Sequence, residues 1–259
     1  MYKLLTVFLL FTITISTIYG QNTVWLIGTA HEEKDYINPD SLIFALEKVK
    51  PDIILIEMEE KFFTHDYRFN LVEDPDLLST NENIASHKYQ ELNKNVELRH
   101  FDIEGRNEFY AKTNHHEKER QMIGEMINLY EQDKFSADCK TDFEILFSAL
   151  RSYSELTFNS LAEANSDVTT KFLALKNKIG FELMISIVKR TEELKKWTEF
   201  AELRKEFWDK RNKVMFETIN GYAKEFPQKK IIILVGNDHK YALLELLKQN
   251  NFEVKNYYE

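Results

Sequence analysis

The chain reads as an α/β protein in which a mostly parallel sheet, flanked by helices, is interrupted by a large all-helical insertion. Three observations predict this. Short apolar runs rich in Ile, Leu and Val, the signature of strands buried on both faces, occur near both ends of the chain. Amphipathic helical segments separate these runs, and strand–helix–strand order favours parallel pairing. Between Arg106 and Phe226 there is no proline and only three glycines, Gly124, Gly180 and Gly221, so helix can run almost unbroken.

Each element has a local reason. Thr23–Ile27 is a β-favouring run ended by Gly28. Asn38-Pro39-Asp40-Ser41 opens a helix to about Lys50, with Leu42, Ala45, Leu46 and Val49 on one face. Pro51-Asp52 breaks it, and Ile53–Ile56 is a second buried strand ending at Glu57. Residues 58–80 carry turn chemistry, a helix spans about Glu82 to Leu92, and Val96–Phe101 is a third strand ending at Asp102. The helical block has breaks near Asp133–Cys139 and Asn165–Val168, and Pro227 ends it. Lys230–Val235 is a strongly apolar strand closed by Gly236, and a helix from Lys240 to Gln249 presents Ala242, Leu243, Leu246 and Leu247. Phe252–Asn256 is a short last strand. The expected organisation is a single domain over 21–259, with its α/β core at 21–110 and 205–259 and the insertion at about 111–204.

Composition narrows the function. A hydrophobic content of 43% in 259 residues supports one sizeable core. A net charge of −9 with no basic stripe argues against nucleic acid as a partner. Residues 1–20 begin with one cation, Lys3, run apolar from Leu4 to Tyr19 and end at Gly20, the pattern of a signal peptide cleaved before Gln21. The expected location is therefore secreted or periplasmic, with no membrane span in the mature chain. Cys139 is the only cysteine, so no intrachain disulfide can form and a thiolate zinc cluster is excluded. Any metal would be held by His and carboxylates.

One short phrase occurs twice. WLIGTAH at 25–31 and ILVGNDH at 233–239 both place Gly-x-x-His after an apolar run. With seven Gly and seven His in the chain, chance gives about 0.2 such matches, so a matched pair after two strands points to a shared role. A strand that stops at Gly can turn sharply, because Gly tolerates positive φ. The following residues then overhang the carboxyl edge of the sheet, where open α/β sheets bind ligands. His31 and His239 are expected there on loops, joined by Glu57 and Asp102 from two further strand ends. From Arg211 to Phe226 is about 22 Å of helix and the strand that follows is about 20 Å long, so Arg211 is expected level with the same edge. A guanidinium there suits a carboxylate or an oxyanion.

These residues carry a family resemblance. VWLIGTAH (Val24–His31), IILIEMEE (Ile53–Glu60), DKRNKVM (Asp209–Met215) and IIILVGNDHKYALLELL (Ile231–Leu247) resemble the motifs of the TraB/GumN/TIKI proteins, which belong with erythromycin-esterase-like and ChaN-like relatives. The chain departs from the pattern at Met58, where an acidic residue is usual, and at Asn237-Asp238-His239-Lys240, where small residues and then Leu are usual. The resemblance implies an α/β core with a helical insertion and a hydrolase, TIKI members being metal-dependent proteases. It places the functional positions at His31, Glu57, Arg211, Asn212 and His239.

The leading expectation is a metal-dependent peptidase acting on a peptide or protein. His31, Glu57 and His239, with Asp102, would hold a divalent ion such as manganese, cobalt or zinc, which would activate water. Arg211 would stabilise the oxyanion, and Asn212 would orient a ligand or substrate. Two alternatives stand beside it. One is a metal-independent, esterase-like hydrolase in which a His activates water. The other is a protein that binds a peptide or signal without turnover.

Overall fold

The computed structural model describes residues 22–259; the signal peptide expected over 1–20 lies outside the described residues. Five strands form one parallel sheet: β1 (Thr23–Thr29), β2 (Ile53–Ile56), β3 (Glu97–His100), β4 (Ile231–Gly236) and β5 (Glu253–Lys255), in the order β3-β2-β4-β1-β5. The α/β class with a helical insertion is therefore the observed one.

Alternation along the strands builds two cores. Ile27, Ile54, Ile56, Leu98, Ile232 and Leu234 face α1 (Pro39–Val49) and α2 (Asn81–Leu92). Val24, Leu26, Ile53, Leu55, Ile231, Ile233 and Val235 face the other way, onto α8 (Thr198–Glu225) and α9 (Asn237–Gln249). The α1 face is the one read from sequence, with Leu42, Ala45, Leu46 and Val49 buried and Asn38 closing a capping box with Ser41.

Between β3 and α8 the chain forms α3 (Arg106–Thr113), α4 (His115–Glu131), α5 (Ala137–Ser154), α6 (Leu161–Ala164) and α7 (Asp167–Arg190). Met122, Met126, Phe143, Leu146, Met184 and Ile187 give this block its own apolar cluster, with Cys139 fully buried in it. Helix α8 crosses the expected boundary at 205 without a break, so one rod belongs to both the insertion and the sheet. The block meets the sheet domain where α7 packs on α9.

The topology places the site. From β2 the chain moves outward to β3, while from β4 it moves the opposite way to β5. Adjacent strands whose connections diverge leave a crevice at their carboxyl ends. Here that crevice lies between Glu57, which follows β2, and Gly236, which ends β4.

Candidate active site

The two phrases fold differently from the expectation, and the glycines show why. Neither Gly28 nor Gly236 has positive φ; among the described glycines only Gly105 does. Strand β1 continues through Gly28 to Thr29, which pairs with Gly236 of β4. Space is the reason for glycine at both places. A Cβ on Gly28 would overlap Asn237 Oδ1 and lie 3.0 Å from Lys240 Cδ, and one on Gly236 would lie 3.3 Å from Glu57 Oε2. Gly28 thus lets the first turn of α9 settle onto β1, and Gly236 lets Glu57 reach the neighbouring strand end.

The structure brings Glu57, Asp102, Arg211 and His239 into one cluster. Arg211 lies at its centre. Its Nη2 donates to Glu57 Oε1 at 2.6 Å and Asp102 Oδ2 at 2.8 Å, its Nε donates to Asp102 Oδ1 at 2.7 Å, and its Nη1 lies 3.0 Å from His239 Nε2. Glu57 Oε2 accepts from the Gly236 N–H at 2.7 Å, stitching β2 to β4 across the crevice. Asp102 also accepts from Ile103 N–H and from Arg106 Nη1. A guanidinium carries five N–H donors, and four contacts are counted here, so one Nη1 proton remains for the cleft that Arg211 lines.

His239 is not on a loop. Helix α9 begins at Asn237, three residues earlier than expected, and carries His239 in its first turn. The ring is only 5% exposed and stacks on Trp208 with centroids 4.0 Å apart. Asn212 Nδ2 donates to Trp208 O, which turns Asn212 Oδ1 toward His239 Nδ1 at 2.7 Å. Nδ1 therefore carries the proton and Nε2 accepts from Arg211. Burial, reinforced by Arg211 and opposed by Glu57, brings His239 down to about 4, so the ring is neutral at physiological pH. Burial alone would push the Glu57 carboxyl up, but His239, Arg211 and the Gly236 N–H outweigh it and hold the group at about 2. Burial likewise opposes charge on Arg211, and its carboxylate partners more than restore it. Asn212 is itself buried and both ends of its amide are engaged, so it acts through His239 rather than on a ligand.

His31 stands apart from this cluster. Its side chain is 57% exposed, and Nδ1 faces Glu82 Oε1 at 3.4 Å. Glu82 is buried and also accepts from Thr29 Oγ1. The hydrogen bond to Glu82 raises the His31 pKa against the effect of burial. On Glu82, burial favours the neutral acid, but His31 and Thr29 lower its pKa and keep it charged. Nothing in the spacing singled out Glu82. Topology does supply a signal: a crossover helix leaves the carboxyl edge of its strand, so the first turn of α2, like that of α9, must lie beside the site.

The two groups share a cleft. His31, Glu57, Arg211 and His239 line a cavity of about 310 Å³ together with Tyr153 and Trp208. On one side, Trp208, Arg211 and Asp238 connect it to a cavity of about 340 Å³ under the insertion, lined by Tyr110, Phe181 and Phe207. On the other side, His31 and Glu57 connect it to a second cavity of about 340 Å³. The result is a three-part groove along the carboxyl edge of the sheet. Behind it, buried Lys240 donates to Asn165 O and Oδ1, and Asn165 bonds both N–H and C=O of Gly28. This clamp fixes the insertion to the strand that carries His31; burial lowers the Lys240 pKa to about 8.

The donor set does not fit a divalent metal. The Glu57 and Asp102 oxygens already accept from guanidinium and backbone donors, and both nitrogens of His239 are engaged. His31 faces Glu82 instead of this centre. Among the described residues, no three of His, Cys, Asp and Glu converge as a metal-holding group. The guanidinium occupies the focus of the carboxylates and supplies a fixed positive charge there.

Comparison with family models, curated proteins and solved structures gives no match to this chain.

Proposed function

We propose that this protein is a metal-independent hydrolase of carbonyl substrates, in which His31 activates water and Arg211 receives the oxyanion. The observation that carries the reading is the pairing of opposites across one cleft: an exposed histidine backed by a buried carboxylate, facing a caged guanidinium. Glu82 holds the proton on His31 Nδ1 and stabilises the imidazolium once it forms. His31 Nε2, at the other end of the ring, has no hydrogen-bond partner among the described residues, and His31 is one of the residues lining the cleft. It takes a proton from water as the water oxygen attacks the carbonyl carbon. The remaining Nη1 proton of Arg211 meets the negative charge that develops on the carbonyl oxygen. Protonated His31 then passes its proton to the leaving nitrogen or oxygen, and the scissile bond breaks.

Glu57, Asp102 and His239 position Arg211; because it does not turn during the reaction, it stabilises charge without a reorganisation cost. The three-part groove suits an extended chain, which favours a peptide over a small ester. The resemblance to TraB/GumN/TIKI proteins is a second support for hydrolysis, and the leader-like residues 1–20 support action in the periplasm or outside the cell. The test is turnover of peptide anilides and nitrophenyl esters after exhaustive chelation. Turnover should survive chelation and fall by about 10²–10⁴-fold in His31→Ala. A rate lost on chelation and restored by manganese, cobalt or zinc would return the reading to a metal-dependent one. Substrate binding without turnover would leave a peptide-binding protein.

A further inference from the structure

We infer that the cavity beyond His31 is a recognition subsite for a basic side chain, of the lysine or arginine type, on the substrate. This rests on the proposed hydrolytic reading and names the substrate class for it. The cavity has an apolar floor and an acidic rim. Met58, Phe62 and Leu77 line its wall, while Asp74, Asp76 and Glu82 supply carboxylates. Such a combination matches a long aliphatic stem ending in a cation, which packs its methylenes on apolar surface and presents its head to polar groups.

The carboxylates are available. Among the described residues, no cation lies within ion-pair distance of Asp74 or Asp76, whose side chains sit beside the 3₁₀ turn that Asp74 caps. The independent observation is Glu82. It is 4% exposed, its Oε1 is taken by Thr29 and His31, and its Oε2 has no hydrogen-bond partner. A buried carboxylate oxygen without a donor is costly, and an ammonium or guanidinium entering this cavity would supply one. The opposing cations are accounted for: Arg106 lines the cavity but donates to Asp102, and His31 faces Glu82. The cavity beneath the insertion differs in sign. It has Lys176, Arg204 and Arg211 against only Glu119 and Asp238. The groove is thus polarised across the reacting centre, and a basic residue is directed to the His31 side.

The experiment compares substrates with lysine and with norleucine, its uncharged near-isostere, in wild-type protein and in the double variant Asp74→Asn, Asp76→Asn. Asparagine retains the capping oxygen at position 74, and melting curves check that both proteins are folded. Lysine should be preferred by about tenfold in kcat/KM, as expected for a charged hydrogen bond in a partly enclosed site, and the ratio should fall severalfold in the variant, which keeps only the Glu82 carboxylate of the three. Equal rates on the two substrates in wild type, or a lysine preference undiminished in the variant, would overturn the inference. If neither substrate turns over, the hydrolytic reading fails by itself. Calorimetry with Nα-acetyl-lysine methylamide and its norleucine counterpart then decides the subsite: lysine-selective binding that weakens in the variant supports it, and no selectivity, or selectivity undiminished in the variant, overturns it.

Discussion

The two Gly-x-x-His phrases lie on adjacent parallel strands and deliver their histidines to the same edge of the sheet, yet the rings end in opposite environments. His31 is 57% exposed and its pKa is raised by Glu82. His239 is 5% exposed, is neutral down to about pH 4, and braces a guanidinium. The difference arises in the residues after the strand. After β4 the chain turns at once into α9, whose first turn packs against Trp208 and Asn212. After β1 it enters an exposed loop, where the first turn of α2 meets His31: Asn81 N–H donates to the His31 carbonyl and Glu82 faces the ring. A repeated motif therefore specifies an address on the fold, and the element that follows specifies the chemistry.

The comparison is tested most strongly by His31→Ala. Loss of a general base should lower kcat by about 10²–10⁴-fold, while stability changes by no more than about 1 kcal/mol, because the histidine is exposed. A fall in melting temperature that accounts for all the lost activity would erase the distinction between the two rings.

Arg211→Met probes the other half. It leaves Glu57 and Asp102 facing each other in a buried site without their shared cation, and breaking such a cluster costs about 3–5 kcal/mol. Denaturant titration should show the loss, and a change below about 1 kcal/mol would mean that the cluster is solvated.

His239→Ala should lower activity and stability together, by about 2–3 kcal/mol for the latter, since it removes a buried aromatic contact and the acceptor for Arg211. The same ring gives wild-type protein an acid signature. Its pKa rises from about 4 in the folded state to the ordinary 6.5 when unfolded, so the unfolded chain binds the additional proton as pH falls from 6.5 to 4, and stability declines across that window. Glu57 extends the decline below pH 4.5 toward 2, because its stabilising charge is lost as pH falls through the folded value. His31 has the opposite sign: its raised pKa stabilises below 6.5 and that contribution disappears as pH rises through the folded value. Melting curves of wild type and His239→Ala between pH 7 and 4 should converge toward acid; parallel curves would assign the acid sensitivity elsewhere.

The smallest expected effect separates the glycines. Gly28→Ala meets Asn237 and Lys240 and should cost about 1–3 kcal/mol, as overpacking does, whereas Gly236→Ala meets Glu57 Oε2 alone, at 3.3 Å, and should cost about 1 kcal/mol or less. Equal costs would show that the close approach of α9 is not what selects glycine at position 28.

Much of this molecule was legible in its residues. Apolar runs of four to six residues located β2 and β4, and the capping residues at Asn38–Ser41 located α1, because burial patterns and caps are local physics. Parallel order followed from the intervening helices, and helix length against strand length put Arg211 at the carboxyl edge, where it meets Glu57 and His239. Of the five side chains expected at one edge, Glu57, Asp102, Arg211 and His239 meet around the guanidinium, while His31 faces Glu82 instead. Only the tertiary structure decided what they gather around. Whether a carboxylate faces a metal, a guanidinium or water depends on ångström-scale distances between elements more than a hundred residues apart, and spacing along the chain does not encode these. The same holds for Glu82, which reaches His31 from α2, and for Asn165 and Lys240, which clamp the insertion to β1. Sequence periodicity fixes which face of an element is buried; which polar groups then meet across the gap is set by how three layers pack together.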